Sequence, residues 1–127
     1  MFTLDQINDI HDRLGSADTL TEYLLALRDI GITSYDSFIT DGHSEYHGAD
    51  TPTLVSLPTH EILTIADVAD KAAFREHLRL HEAGQTSYLD MSKALAESGV
   101  EKWTFDTRKL TIAYYDKAGN QMKTEPI

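Results

Sequence analysis

Two histidines lie four residues apart in a segment with helical spacing. His77 and His81 would project from the same side of one helix, with Cβ atoms about 5–6 Å apart, so one metal ion could bridge them. No glutamate lies between them, so the zinc-protease pattern is incomplete, and His60 or Glu61 would have to supply a third ligand. The alternative is a pair of histidines at the border of a packed face, with hydrogen-bonded ring nitrogens.

A second group of candidate residues shares the polar face of a predicted β-hairpin: Asp36, Phe38, His43, Glu45 and His47. A strand rises about 3.3 Å per residue, so His43 and His47 lie about 13 Å apart and cannot bind the same ion. His43 with Glu45, or His47 with Asp36 across the strands, could act as an acid–base or metal-binding pair. The alternative is a solvated face on which Asp36 and His47 form an ordinary ion pair.

Phe38 is an aromatic residue among these charges. An exposed aromatic side chain marks a partner contact, unless residues 48–58 cover it. The sequence has no glycine-rich phosphate loop, no Gly-x-Ser-x-Gly motif and no basic stripe with interleaved aromatics. We therefore predict a non-enzymatic accessory or binding protein that binds a protein partner or a small molecule. A metal-assisted hydrolase using His77 and His81 is the alternative.

These candidates are positioned by a unit that occurs twice, in which a helix ends at a glycine and a strand follows. Gly31 and Gly99 are the two glycines, and this residue type adopts the left-handed conformation at a helix end at least cost. Each is preceded by two helical segments separated by another glycine, Gly15 or Gly84. The pattern predicts a two-fold pseudo-repeat of helix, helix and strands, with chance similarity as the alternative.

The predicted helices begin at capping residues, namely Thr3 (helix 4–14), Thr19 (20–30), Asp70 (to 83) and Thr86 or Ser87 (to 98). Asp41-Gly42 predicts a two-residue hairpin turn that pairs Asp36 with His47 and Phe38 with Glu45. Pro52 and Pro58 favour an edge position for the strand between them. The predicted strands after the hairpin cover residues 53–57, 62–65, 101–106, 110–115 and 121–124.

The expected fold is α+β in two layers, with an antiparallel sheet of about five to seven strands covered by four helices in two helical hairpins. Tyr35, Ile39 and Tyr46 should face the helices, as should Trp103, Phe105, Leu110, Ile112 and Tyr114. A chain of 127 residues has the usual size of a single domain, here residues 1–127.

The formal net charge of −10 disfavours nucleic acid and anionic membranes as partners. The absence of cysteine excludes disulfides and thiolate metal sites. Without a signal-peptide pattern or a long apolar run, a cytoplasmic location is expected. No cofactor is expected, with a divalent metal as the alternative, and the oligomeric state stays open.

Two stretches carry a family resemblance: 40-TDGH-43 followed by 46-YHG-48, and 98-SGVEKW-103 followed by 114-YYDKAGN-120. With the start 1-MFT-3 and the layout of the chain, they resemble the YbcV-like family of small bacterial proteins, often labelled phage envelope protein. The resemblance covers nearly the whole chain and implies at most a prophage link. It supplies no catalytic residues.

Overall fold

The computed structural model describes residues 2–14, 19–49, 51–82 and 87–127. Within these ranges the chain forms four helices and one six-stranded antiparallel sheet, so the predicted α+β class is confirmed. The helices are α1 (Leu4–Leu14), α2 (Leu20–Asp29), α3 (Lys71–Glu82) and α4 (Tyr88–Glu97). The strands are β1 (Ile32–Phe38), β2 (Ser44–Gly48), β3 (Thr51–Val55), β4 (Val100–Asp106), β5 (Thr111–Asp116) and β6 (Gln121–Pro126).

Helix α1 begins with the predicted capping box. The Gln6 N–H donates to Thr3 Oγ1 at 3.2 Å, and the Thr3 N–H donates to Gln6 Oε1 at 2.9 Å. Thr19 does not cap α2 in this way, because its hydroxyl instead donates to the Leu14 carbonyl at 2.6 Å. That bond ties the start of α2 to the end of α1.

Both helices of the second helical hairpin are capped by the predicted side chains. Asp70 Oδ1 accepts the Ala73 N–H at 3.0 Å, and Ser87 Oγ accepts the Asp90 N–H at 3.1 Å. The helix-end positions predicted for Gly15, Gly84 and Thr86 lie outside the described residues. None of the described helices combines the length and the apolar character needed to cross a membrane.

The sheet has the strand order β3-β2-β1-β4-β5-β6, with β1 and β4 antiparallel at its centre. Asp36 lies opposite Thr104 in this pair, and the two residues are 68 positions apart, as are Gly31 and Gly99. Helix α4 begins and ends 68 residues after α2, and strand β4 begins and ends 68 residues after β1. In the part of the chain that the structure describes, each half contributes two helices and then three strands, in agreement with the expected pseudo-repeat.

The β1–β2 hairpin has a longer loop than predicted. The Phe38 N–H donates to the His43 carbonyl at 2.9 Å, so residues 39–42 form the loop. The predicted turn needs positive φ at both central residues. Gly42 has φ +79°, but Leu110 is the sole described non-glycine residue with positive φ, so Asp41 does not qualify. The register is therefore shifted by two residues, and Asp36 lies opposite Glu45 instead of His47.

Strand β3 occupies the predicted edge position, but the strand predicted for residues 62–65 is wrong. Residues 56–70 contain neither helix nor strand. The Leu63 N–H donates to the Thr40 carbonyl at 2.6 Å, and the N–H groups of Ala66 and Asp70 donate at 2.9 Å to carbonyls at the end of α4. The backbone of this segment thus forms hydrogen bonds with the 39–42 loop and with the end of α4 instead of with a neighbouring strand.

One face of the sheet joins the helices in the hydrophobic core. Its buried strand residues include Tyr35, Tyr46, Trp103, Phe105 and Tyr114, as predicted by alternation, and they cluster with Leu24, Leu27 and Leu95 of the helices. Leu110 differs from the prediction, because it precedes β5 in a turn with φ +54° and is partly buried. The opposite face of β2, β1, β4 and β5 carries Asp36, Phe38, Glu45, His47, Lys102, Thr104 and Tyr115, and is called the polar face below.

A pair of buried phenols should make the fold sensitive to alkaline pH. Burial, the charge of Tyr46 and its hydrogen bond raise the pKa of Tyr23 well above its ordinary value, and burial also raises the pKa of Tyr46. Unfolded tyrosines lose their protons near pH ~10, before these folded ones do. The contribution of these two tyrosines to the free energy of unfolding should therefore be constant below that pH. It should decrease as the pH rises above it, because the unfolded state then loses protons that the folded state retains.

Urea unfolding between pH 8 and pH 11 measures this effect. Tyr23→Phe should flatten the alkaline loss of stability relative to wild type. An unchanged slope in Tyr23→Phe would contradict the prediction.

Candidate functional site

The β1–β2 hairpin brings both predicted pairs, His43 with Glu45 and His47 with Asp36, into contact. Asp36 lies opposite Glu45, and His47 is two residues further along β2, on the same face. His47 Nε2 is 2.9 Å from Asp36 Oδ2, and His43 Nε2 is 3.2 Å from Glu45 Oε2. A register shift of two residues preserves the face of every side chain, so both pairs form despite the error in the predicted turn.

His43 is held between two carboxylates. Its Nδ1 hydrogen bonds to Asp41 Oδ1, its Nε2 faces Glu45, and its backbone N–H donates to Asp41 Oδ1 at 3.0 Å. Burial alone would lower the pKa of His43, but the hydrogen bonds and charges of Asp41 and Glu45 outweigh burial and raise that pKa. Burial opposes the shift at Asp41 too, yet the His43 hydrogen bonds keep the pKa of this carboxyl below its ordinary value. The ring is thus stabilised in its charged form.

Phe38 lies between an imidazole ring and an ammonium group. Its ring stacks on His43 with centroids 4.5 Å apart and an angle of 5° between the planes. Lys102 Nζ lies 5.6 Å from the centroid of the Phe38 ring and 5.5 Å from that of Tyr115, distances typical of cation–π contacts. Two aromatic rings of the polar face therefore already surround a cation.

Asp36 is the most enclosed acidic group of the polar face, with a side chain 13% exposed. Thr104 donates its hydroxyl proton to Asp36 Oδ1, and His47 contacts the other carboxylate oxygen. Lys102 Nζ lies 4.0 Å from Asp36 Oδ1. Because Thr104 and Lys102 belong to β4, the surroundings of Asp36 are built from both halves of the chain.

Three side chains of the polar face have the types and spacing of metal ligands. One potential ligand atom each from Asp36, Glu45 and His47 lies within 4.8 Å of the other two. Among the described side chains, this is the one group of three or more such residues. His43 is not a member, in keeping with the separation expected between the two histidines.

The other histidine candidates lie elsewhere. His60, in the segment after β3, contacts the Glu61 carbonyl through Nδ1 at 2.7 Å and has a buried Nε2. It lines a cavity of about 270 Å³ together with Glu61, Leu63, Leu89 and Lys93. His77 lies half-buried on α3, and the side chain of His81 is outside the described part of the structure. The site of His77, His81 and His60 or Glu61 stays a prediction.

Sequence reasoning missed several members of the site. The sequence predicts Asp41 as a turn residue, but its carboxylate also forms a hydrogen bond with the His43 ring. Thr53 contacts His47 Nδ1 at 3.1 Å, and Lys102 and Thr104 contact Asp36. Prediction of the Thr53 contact requires the observed register of β3. Prediction of the Lys102 and Thr104 contacts requires the pairing of β1 with β4, which no local sequence signal indicates.

A search of curated proteins found no match to the chain. One family profile matches nearly the entire sequence, from residue 8 to residue 126. The chain therefore belongs to the family described as protein of unknown function DUF1398.

Proposed function

We propose that the protein is a non-enzymatic binding protein that holds a cationic ligand on the polar face. The observation that carries this proposal is the position of the Lys102 ammonium group, 4.0 Å from the Asp36 carboxylate and about 5.5 Å from two aromatic centroids. Carboxylates combined with aromatic faces are a common means of binding cations. The face therefore offers to an external cation the same groups that contact its own lysine.

The electrostatics of the protein favour a cation as well. The Asp36 and Glu45 side chains are 13% and 32% exposed, so solvent screens their charges less than those of surface groups. The formal net charge of −10 adds an attractive field for cations and repels anions. A cation that approaches the polar face thus gains from both the local carboxylates and the whole protein.

The hydrogen bonds of the two histidines support binding in preference to catalysis. A general base needs a free lone pair within reach of a substrate proton. Both ring nitrogens of His43 face carboxylates, and those of His47 contact Thr53 and Asp36. The groups of the face are thus engaged in a network that holds them in place, as expected of a preorganised binding surface.

A small cation and a basic segment of a protein partner share this chemistry, and titration can separate them. Backbone amide shifts of the ¹⁵N-labelled chain should be followed with Zn²⁺, spermidine and a lysine-rich decapeptide. We expect at least one probe to shift amides of β1, β2 and β4, with phosphate as the anionic control causing no such shift. The prophage link implied by the YbcV-like resemblance stays a prediction.

Matched variants test whether Asp36 is responsible. Asp36→Asn removes one charge from the face and should weaken binding about tenfold or more, because hydrogen bonds to charged groups contribute roughly 1.5–3 kcal/mol. Asp9→Asn removes the same charge from an exposed position of α1 and should leave binding unchanged. Equal weakening by both variants, or no shift with any cationic probe, would contradict the proposal.

A further inference from the structure

We infer that the cation is a divalent transition-metal ion bound by Asp36, Glu45 and His47. This inference rests on the proposed function and names the ligand of the same face. Ligand atoms on an ion with bonds of about 2.0–2.2 Å lie roughly 3–3.5 Å apart. His47 Nε2 and Asp36 Oδ2 are 2.9 Å apart, and all three potential ligand atoms lie within 4.8 Å of one another. Small side-chain rotations therefore suffice to form the site.

Each of the three side chains has a partner that orients it. Thr104 donates to the Asp36 carboxylate, and Thr53 contacts His47 Nδ1. Glu45 is contacted by His43, which Asp41 holds from the other side. Metal-binding histidines and carboxylates commonly have such outer partners, which fix the tautomer and the direction of the lone pairs.

The contacts of His47 also define how an ion would enter. A neutral His47 ring satisfies both of its contacts when Nε2–H donates to Asp36 Oδ2 and Nδ1 accepts the Thr53 hydroxyl proton. An ion on Nε2 would require this proton to move to Nδ1, where Thr53 Oγ1 would accept its hydrogen bond, and the ion would then contact both His47 and Asp36.

The ligand types select the class of ion. Imidazole with two carboxylates suits Zn²⁺, Co²⁺, Ni²⁺ or Mn²⁺, whereas Ca²⁺ and Mg²⁺ prefer oxygen ligands alone. Lys102 competes for Asp36, since its ammonium is 4.0 Å from the carboxylate. Loss of this competing charge should therefore strengthen metal binding.

The test is metal titration of the chelator-treated full chain by calorimetry and thermal unfolding. Zn²⁺ or Co²⁺ should bind and raise the melting temperature, because a ligand that binds the folded state stabilises it. His47→Ala and Glu45→Gln should each bind at least tenfold more weakly, and Lys102→Met should bind more tightly. His77→Ala is the matched control and should bind as wild type does, and Glu45→Gln retains the side-chain shape in case His47→Ala fails to fold.

Several results would overturn the inference. The first is that none of the four transition-metal ions binds. The second is wild-type affinity in Glu45→Gln or weaker binding by Lys102→Met. The third is loss of binding in His77→Ala, which would locate the ion on α3. Binding of spermidine or the decapeptide without any metal binding would remove this inference and leave the proposed function standing. Failure of every cationic probe would remove both.

Discussion

Replacing Gly99 by alanine should lower the free energy of unfolding by about 2–5 kcal/mol. Gly99 has φ +88°, a left-handed conformation that costs an L-residue about 1–2 kcal/mol. An added Cβ would also lie 2.8 Å from Ala69 Cα and 2.9 Å from the Val68 carbonyl oxygen. These backbone atoms lie between Ala66 and Asp70, whose N–H groups donate to the end of α4, so they cannot move without cost, and overpacking adds about 1–3 kcal/mol.

Two other glycines separate the conformational part of this loss from the steric part. Gly31 is the counterpart of Gly99 after α2, with φ +103°, and among the described residues other than its chain neighbours a Cβ there would meet only Phe2 Cδ1, at 3.9 Å. Gly119 has the same φ of +88°, and beyond its chain neighbours no heavy atom in the described part of the structure lies within 4 Å of the added Cβ. Alanine at either position should cost about 1–2 kcal/mol, the conformational part alone. Urea denaturation compares the three variants, and equal losses would refute the steric argument.

Local signals were enough to predict the helices. The capping box of Thr3 and Gln6, the caps at Asp70 and Ser87, and the left-handed glycines depend on contacts within a few residues of the chain. Period-two alternation likewise predicted the buried aromatic side chains of the strands, whereas Leu110 is partly buried and Asp36 is buried on the opposite face. These features could be predicted because they depend on the backbone conformation of residues that are close together in the sequence.

The predictions that failed depend on contacts between distant residues. Residues 62–65 resemble a strand in sequence, but the N–H groups of Leu63 and Ala66 donate to a loop carbonyl and to a carbonyl at the end of α4 instead of to a neighbouring strand. The hairpin register depended on whether Asp41 accepts positive φ, which the Asp-Gly pair alone does not determine. Turn type and segment path are therefore set by the surrounding structure.

The candidate site shows the same division. His43 with Glu45 and His47 with Asp36 could be predicted because all four residues belong to one hairpin whose faces survive an even register shift. Lys102 and Thr104 reach Asp36 only because β1 pairs with β4, 68 residues away. The sequence thus indicated the polar pairs, whereas the groups that surround them required the sheet order.

Truncation of a buried leucine in either half should destabilise the whole protein by a similar amount. Leu27 of α2 and Leu95 of α4 occupy corresponding positions of the pseudo-repeat, are both fully buried and belong to one hydrophobic cluster. Leu27→Ala and Leu95→Ala should each lower the free energy of unfolding by about 2–5 kcal/mol, from lost burial and the cavity left behind. Since the cluster is shared between the halves, each variant should still unfold in a single transition.

Circular dichroism and tryptophan fluorescence during urea unfolding measure both quantities. The signals differ in what they report, since Trp103 belongs to the second half whereas the helices lie in both. Leu89→Ala, on α4 but 42% exposed, is the control and should cost under about 1 kcal/mol. If Leu27→Ala shifted the circular dichroism transition while leaving the Trp103 transition unchanged, the halves would unfold independently. The predicted single domain would then be wrong, because the two helical hairpins would not depend on a common core.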